Sequence, residues 1–213
     1  MLQHVYERAN LARYLTKVII ATDDARIYDA ARSFGALVQM TRTDHRSGSD
    51  RVAEVASADS AEVIVNIQGD EPLIDPTAID AAVLSLTSDP DVPMATLSKR
   101  IEDPSEVDNP NVVKVVSDLT GNAIYFSRSP IPHGGVVHYK HIGLYVYRRE
   151  FLLAYSGLPV GPLEQAERLE QLRALENGYR VRVIETEYES LGVDTPEDLE
   201  RVTALFEPSL SKS

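Results

Sequence analysis

None of the 213 residues is a cysteine. That excludes disulfides, thiolate zinc sites and cysteine nucleophiles, and it fits a reducing compartment such as the cytosol. No apolar run is long enough to span a bilayer, and no secretory signal is recognisable, so a cytoplasmic protein without membrane insertion is expected. Positive charge is scarce: 21 Lys and Arg face 33 Asp and Glu, a net charge of −12. Without surplus cations to displace counterions, nonspecific nucleic-acid binding is not expected. An anionic substrate would have to be held by a metal or by a few placed cations. There is no Walker loop, no G-x-S-x-G and no His/Cys cluster, so nothing points to a nucleophilic triad. Repeats, heptads and long linkers are missing too.

What is present is an ordinary globular composition, 43% apolar and 25% charged. The length suits one domain burying roughly 70% or more of its unfolded surface. That domain is expected over 1–207, with a frayed tail at 208–213. Strand-like and helix-like segments alternate, which predicts an α/β fold with a mostly parallel, Rossmann-like sheet covered by helices. Helical spacing relates Leu2, Val5, Tyr6 and Ala9. Strands are expected at 18–21, 36–40, 63–67, 94–97, 112–117, 123–126, 141–147 and 180–185. Helices are expected at 25–34, 50–58 and 76–86, from Thr195 onward, and as one long helix from Pro162 to Asn177 with Gly178 as its stop.

The chemistry gathers at strand ends. Val63–Ile67 reads as a strand buried on both faces, and Gln68-Gly69-Asp70-Glu71-Pro72 follows it directly. Ligands of open α/β sheets bind outside such carboxyl ends. Gly69 permits a sharp turn, and Pro72 biases Glu71 toward extended backbone. Asp70 thereby becomes a hard oxygen ligand of the kind a Mg²⁺–nucleotide site uses; a solvated polar turn is the alternative. A second acidic segment is Gly192-Val193-Asp194-Thr195-Pro196-Glu197-Asp198. Thr195, Pro196 and Asp198 fit an N-cap, first position and capping box, which accounts for Glu197 and Asp198 but not for Asp194. Asp70 with Asp194 would suffice for Mg²⁺.

Lys140–Tyr147 alternates. Ile142, Leu144 and Val146 take one face, and His141, Gly143, Tyr145 and Tyr147 the other, a face suited to a polyhydroxylated ligand or to solvent. Arg128 could fork onto a carboxylate or phosphate, or be solvated. Glu170 and Gln171 flank the apolar stripe Leu163, Ala166, Leu169 and Leu172; they could lean into a cleft or lie on the helix surface. Ser47-Gly48-Ser49 enters a helix whose free N–H groups can meet a base edge or an anion, or is a plain cap.

Taken together, the segments 40–51, 65–72, 109–116, 125–128, 140–145, 169–173 and 192–199 resemble the 3-deoxy-manno-octulosonate cytidylyltransferase family, the CMP-Kdo synthetases, in order along the chain. Ser49 stands where that family usually has Thr. The resemblance implies a nucleotide-diphospho-sugar transferase fold, a homodimer, and transfer of CMP from CTP to Kdo with release of pyrophosphate, for lipopolysaccharide biosynthesis. It implies Mg²⁺ held by Asp70 and Asp194. It places Gln68, Arg128, His141, Tyr145, Glu170 and Gln171 around the acidic sugar, and Thr41, Arg42, Ser47 and Gly48, with Asp70, around the nucleotide. It also implies an opening strand and a basic triphosphate loop that are not in this sequence. The expectation is therefore a sheet with its first strand missing, exposed strand edges, and too few cations opposite the polyphosphate. The alternatives are a cytidylyltransferase for another acidic sugar, such as a sialic acid, and an inactive truncated fragment.

Overall fold

The computed structural model describes residues 1–193 and 195–206. It begins with α1 (Leu2–Ala9), β1 (Ile20–Thr22), α2 (Ala25–Ser33), β2 (Val38–Met40), α3 (Gly48–Ser57), β3 (Val63–Asn66) and α4 (Pro76–Ser88). Then come β4 (Met94–Arg100), α5 (Ser105–Asp108), β5 (Lys114–Ser117), β6 (Ala123–Ser127), β7 (Tyr139–Arg148) and α6 (Arg149–Tyr155). The last elements are α7 (Pro162–Glu167), α8 (Leu172–Glu176), β8 (Val181–Glu185) and α9 (Pro196–Phe206).

Polar side chains start the helices. Asp24, Ser47 and Asp75 accept backbone N–H bonds at the starts of α2, α3 and α4, satisfying donors a helix leaves open. The Thr195 hydroxyl accepts from Asp198 N–H at 3.1 Å and donates to its carboxylate at 2.9 Å, so the capping box at α9 forms as expected. Asp194 and the tail at 208–213 lie outside the described residues.

The sheet is mixed, and one strand explains why. β3, β4 and β5 each pair antiparallel with β7, and β8 pairs parallel with β4. Those four share a direction, while β7 and β6 run against it. Most strands are therefore parallel in sense, yet most ladders are antiparallel, because the reversed strand β7 lies between its neighbours. A separate parallel pair, β1–β2, carries the early part of the chain.

Two apolar layers flank the large sheet. Val5, Ile79, Leu86, Leu97, Ile142 and Leu144 belong to the layer under α1 and α4. Phe126, Tyr147, Phe151, Tyr155 and Leu172 belong to the layer under α3, α6 and α8. The alternation of β7 holds: Ile142, Leu144 and Val146 are buried in the first layer.

Two expectations change. β3 is only partly buried, because a cavity of about 420 Å³ runs beside it, lined by Ile20 and Ala21 of β1, by Val63 and Val65 of β3, and by Val5 of α1. The long helix at 162–177 is broken: α7 ends at Arg168, which takes the left-handed conformation at φ 55°, and α8 starts only at Leu172. The apolar stripe is helical in spacing, but a continuous helix would not turn both Glu170 and Gln171 inward. Tertiary burial overrides local propensity here.

Candidate active site

The broken helix meets the start of α3 and the middle of β7. The break at Arg168 drives Gln171 inward, where it is 3% exposed, and leaves Glu170 largely buried. Both were candidates for a surface role; neither has one. Glu170 accepts from the hydroxyls of Ser47 at 2.9 Å and Ser49 at 3.2 Å, and its backbone carbonyl accepts from Tyr155 at 2.5 Å. Burial raises its pKa, opposed by the Ser47 bond and by the charge of Arg173. The loop expected to read the nucleotide and the helix expected to hold the sugar thus meet directly at Ser47–Glu170.

Ser49, in the place usually held by Thr, is buried and also bonds the Tyr147 hydroxyl at 3.2 Å. Gly48 opens α3, and a Cβ there would come within 3.9 Å of Asn66. Thr41 is buried and accepts from Arg51 at 2.5 Å, while Arg51 also binds Asp23 at 2.9 Å. Arg42 is exposed; its backbone N–H donates to Glu54, whose carboxylate also pairs with His45.

On β7, Tyr145 donates to Gln171 Oε1 at 3.2 Å. His141 sits beside Thr96, whose hydroxyl lies 2.9 Å from Nε2 and 2.8 Å from the Leu144 carbonyl. Opposite Thr96–Leu97 the register slips by two residues, so Gly143 and Leu144 face no partner there. The Thr96 hydroxyl fills that gap. Its one proton goes to Leu144 O, which leaves it to accept from His141 Nε2–H, so that in the neutral imidazole Nδ1 is the acceptor.

Desolvation pushes the His141 pKa down to about 3, below the ordinary value near 6.5. A histidine with a depressed folded pKa gives up its proton on folding. Its contribution to stability is therefore complete above about pH 6.5 and is lost as pH falls toward 3. Thermal unfolding should show the midpoint falling between pH 7.5 and 5, with a smaller fall in His141→Gln. Equal slopes in the two proteins would remove His141 as the cause. Glu71 and Glu170 act in the opposite sense, since burial raises their pKa values.

Arg128 is held rather than solvated. Its Nε donates to Glu167 O at 2.8 Å and one guanidinium nitrogen to Pro110 O at 3.0 Å. Because His141 is neutral, Arg128 is the sugar-side candidate that brings a permanent positive charge.

Gln68 and Asp70 stand at the end of β3, where Gln68 lines the cavity beside β1. The Asp70 carbonyl accepts from Val193 N–H at 3.0 Å, which seats the segment reaching Val193 against the turn after β3. Sequence reasoning passed over the residue that secures this approach. Glu71 is 7% exposed and accepts from Tyr188 at 3.1 Å and Ser190 at 2.8 Å, pinning the incoming segment to the turn. Among the described residues no group of three or more His, Asp or Glu side chains forms a metal cluster. Asp70 offers one carboxylate at this turn, and Mg²⁺ takes as few as one when phosphates and water complete its shell.

A family model described as cytidylyltransferase matches residues 1–186. A 3-deoxy-manno-octulosonate cytidylyltransferase of Solibacter usitatus is 73% identical, covering 99% of this chain and 85% of its own length. Its counterpart in Geobacter sulfurreducens is 55% identical over 95% and 87%. A solved CMP:2-keto-3-deoxy-manno-octonic acid synthetase complexed with CTP superposes with a TM-score of 0.92 at 44% identity, covering 96% of this chain and 86% of the other. A putative glucose-1-phosphate thymidylyltransferase of Bacillus anthracis shares the fold at a TM-score of 0.67 and 16% identity. Among the described residues no helix is long and apolar enough to cross a membrane. The chain belongs to the cytidylyltransferase family, among the 3-deoxy-manno-octulosonate cytidylyltransferases.

Proposed function

We propose that this protein transfers CMP from CTP to 3-deoxy-D-manno-octulosonate (Kdo), releasing pyrophosphate and CMP-Kdo for lipopolysaccharide synthesis, as a cytoplasmic homodimer. The observation that carries the reading is the Ser47–Glu170 contact, which joins the nucleotide loop to the sugar side of one site. A transferase needs that adjacency, since the two substrates must meet in line.

Thr41, Arg42, Ser47 and Gly48 face the nucleotide. Arg128 takes the sugar carboxylate. Gln68, His141, Tyr145, Glu170 and Gln171 take its hydroxyls as neutral donors and as acceptors. The anomeric oxygen of Kdo then attacks the α-phosphorus, the bond to the bridging oxygen breaks, and pyrophosphate leaves. No covalent enzyme intermediate is required, so the residues act by positioning and by electrostatics. Asp70 and Asp194 would hold Mg²⁺, which supplies charge neutralisation at the phosphates.

A coupled assay of pyrophosphate release from CTP and Mg²⁺, run with Kdo and separately with N-acetylneuraminate, tests this. Release with Kdo alone is expected. Preference for N-acetylneuraminate would reassign the sugar, and release with neither would leave a binding fragment without transferase activity.

A further inference from the structure

Lys114 is fully buried on β5, and nothing in the proposed chemistry uses it. Its three donors reach three backbone carbonyls: Asn109 at 2.9 Å, Val112 at 2.6 Å and Arg128 at 2.7 Å. Glu167 approaches from the other side. Its carboxylate accepts the Arg128 N–H at 2.8 Å and the Ser127 hydroxyl at 2.6 Å. Arg128 is therefore gripped at both ends of its own backbone, its carbonyl by a cation and its N–H by an anion. The guanidinium closes the ring on the same two segments, through Pro110 O and Glu167 O.

Filling space on this strand does not call for a lysine. Burying an ammonium is unfavourable unless it is fully hydrogen-bonded, and a leucine or methionine would fill the volume without that cost. What the ammonium adds is a fixed distance between the 109–112 turn and the backbone at 128. That distance sets where the one permanently charged group on the sugar side points.

We infer that Lys114 and Glu167 are positioning residues that clamp Arg128 in the orientation that receives an anionic carboxylate. The inference rests on Arg128 facing the acidic sugar.

The test compares Lys114→Met, Glu167→Gln, Arg128→Ala and the double variant Lys114→Met/Arg128→Ala. Kdo and CTP are titrated separately by calorimetry, and amide hydrogen exchange is followed along the chain. Lys114→Met should weaken Kdo on the order of 10-fold and leave CTP affinity within about twofold. It should speed exchange at 109–112 and 127–129 on the order of 10-fold, with β4 and β7 unchanged. In the Arg128→Ala background, Lys114→Met should change Kdo affinity by less than about twofold, since the two act as a unit. Full Kdo affinity in Lys114→Met, alongside weakened binding in Arg128→Ala, would overturn the clamp. So would multiplicative losses in the double variant. Unchanged Kdo affinity in Arg128→Ala would instead overturn the assignment of the sugar site, and the exchange data would then decide the clamp alone. If Lys114→Met does not fold, Glu167→Gln carries the same comparison.

Discussion

Asp70→Ala is expected to lower CMP-Kdo formation on the order of 100-fold or more, because under the proposed function the change removes one of the two carboxylates that would hold Mg²⁺. Asp70→Asn should lose nearly as much, since it keeps the shape and discards the charge. The fold should survive both changes. It is the backbone carbonyl of Asp70, not its carboxylate, that receives Val193 N–H, and the anchoring of this segment belongs to Glu71. Pyrophosphate release measured across a Mg²⁺ series, beside a thermal midpoint, separates the two effects. Activity should fall, more Mg²⁺ should be needed, and the midpoint should hold. Wild-type turnover in either variant would remove Asp70 from the reaction.

Phe126→Ala should be the most damaging single change to stability among those considered, at about 3–5 kcal/mol. The ring is fully buried in the layer shared with Tyr147 and Phe151. For a chain of this size that corresponds to a fall of roughly 6–20 °C in the unfolding midpoint. Urea denaturation should show a lower midpoint at unchanged slope; a loss below about 1 kcal/mol would contradict the packing. A second readout lies in the site itself. Phe126 presents its edge to His141 at a centroid distance of 5.1 Å. Removing the ring admits water, so the His141 pKa should climb from about 3 toward its ordinary value, visible in the imidazole proton resonances.

Much of the architecture could be read from local rules. The alternation along β7 predicted the buried face of Ile142, Leu144 and Val146, although Tyr147 on the opposite face is buried in the second layer as well, and the Thr195–Asp198 capping box formed as its spacing implied. Those signals are local: a strand of period two and a cap of period three need no knowledge of the rest of the chain. The failures are all non-local. Nothing near Arg168 announces a left-handed residue, so the stripe Leu163, Ala166, Leu169 and Leu172 reads as one helix. Glu170 looks like a surface acid until Ser47, far away in sequence, supplies its partner. Lys114 looks like an ordinary strand lysine, because the three carbonyls that capture it come from turns on either side. The candidate residues were legible as a set only through the order of their motifs.

The cavity beside β3 divides the molecule mechanically. β1 pairs with β2, β3 pairs with β7, and the described ladders do not cross between them. Packing from α1 and α3 and the Arg51 bridge to Asp23 and Thr41 span the division instead. Sliding one body against the other therefore strains side-chain contacts but ruptures none of the described backbone ladders. Thr41 and Arg42 hang from the end of β2, whereas Asp70 stands in the turn that follows β3 of the large sheet. A nucleotide touching both groups would act as a strut between two bodies, and its binding energy would be spent partly on setting their separation.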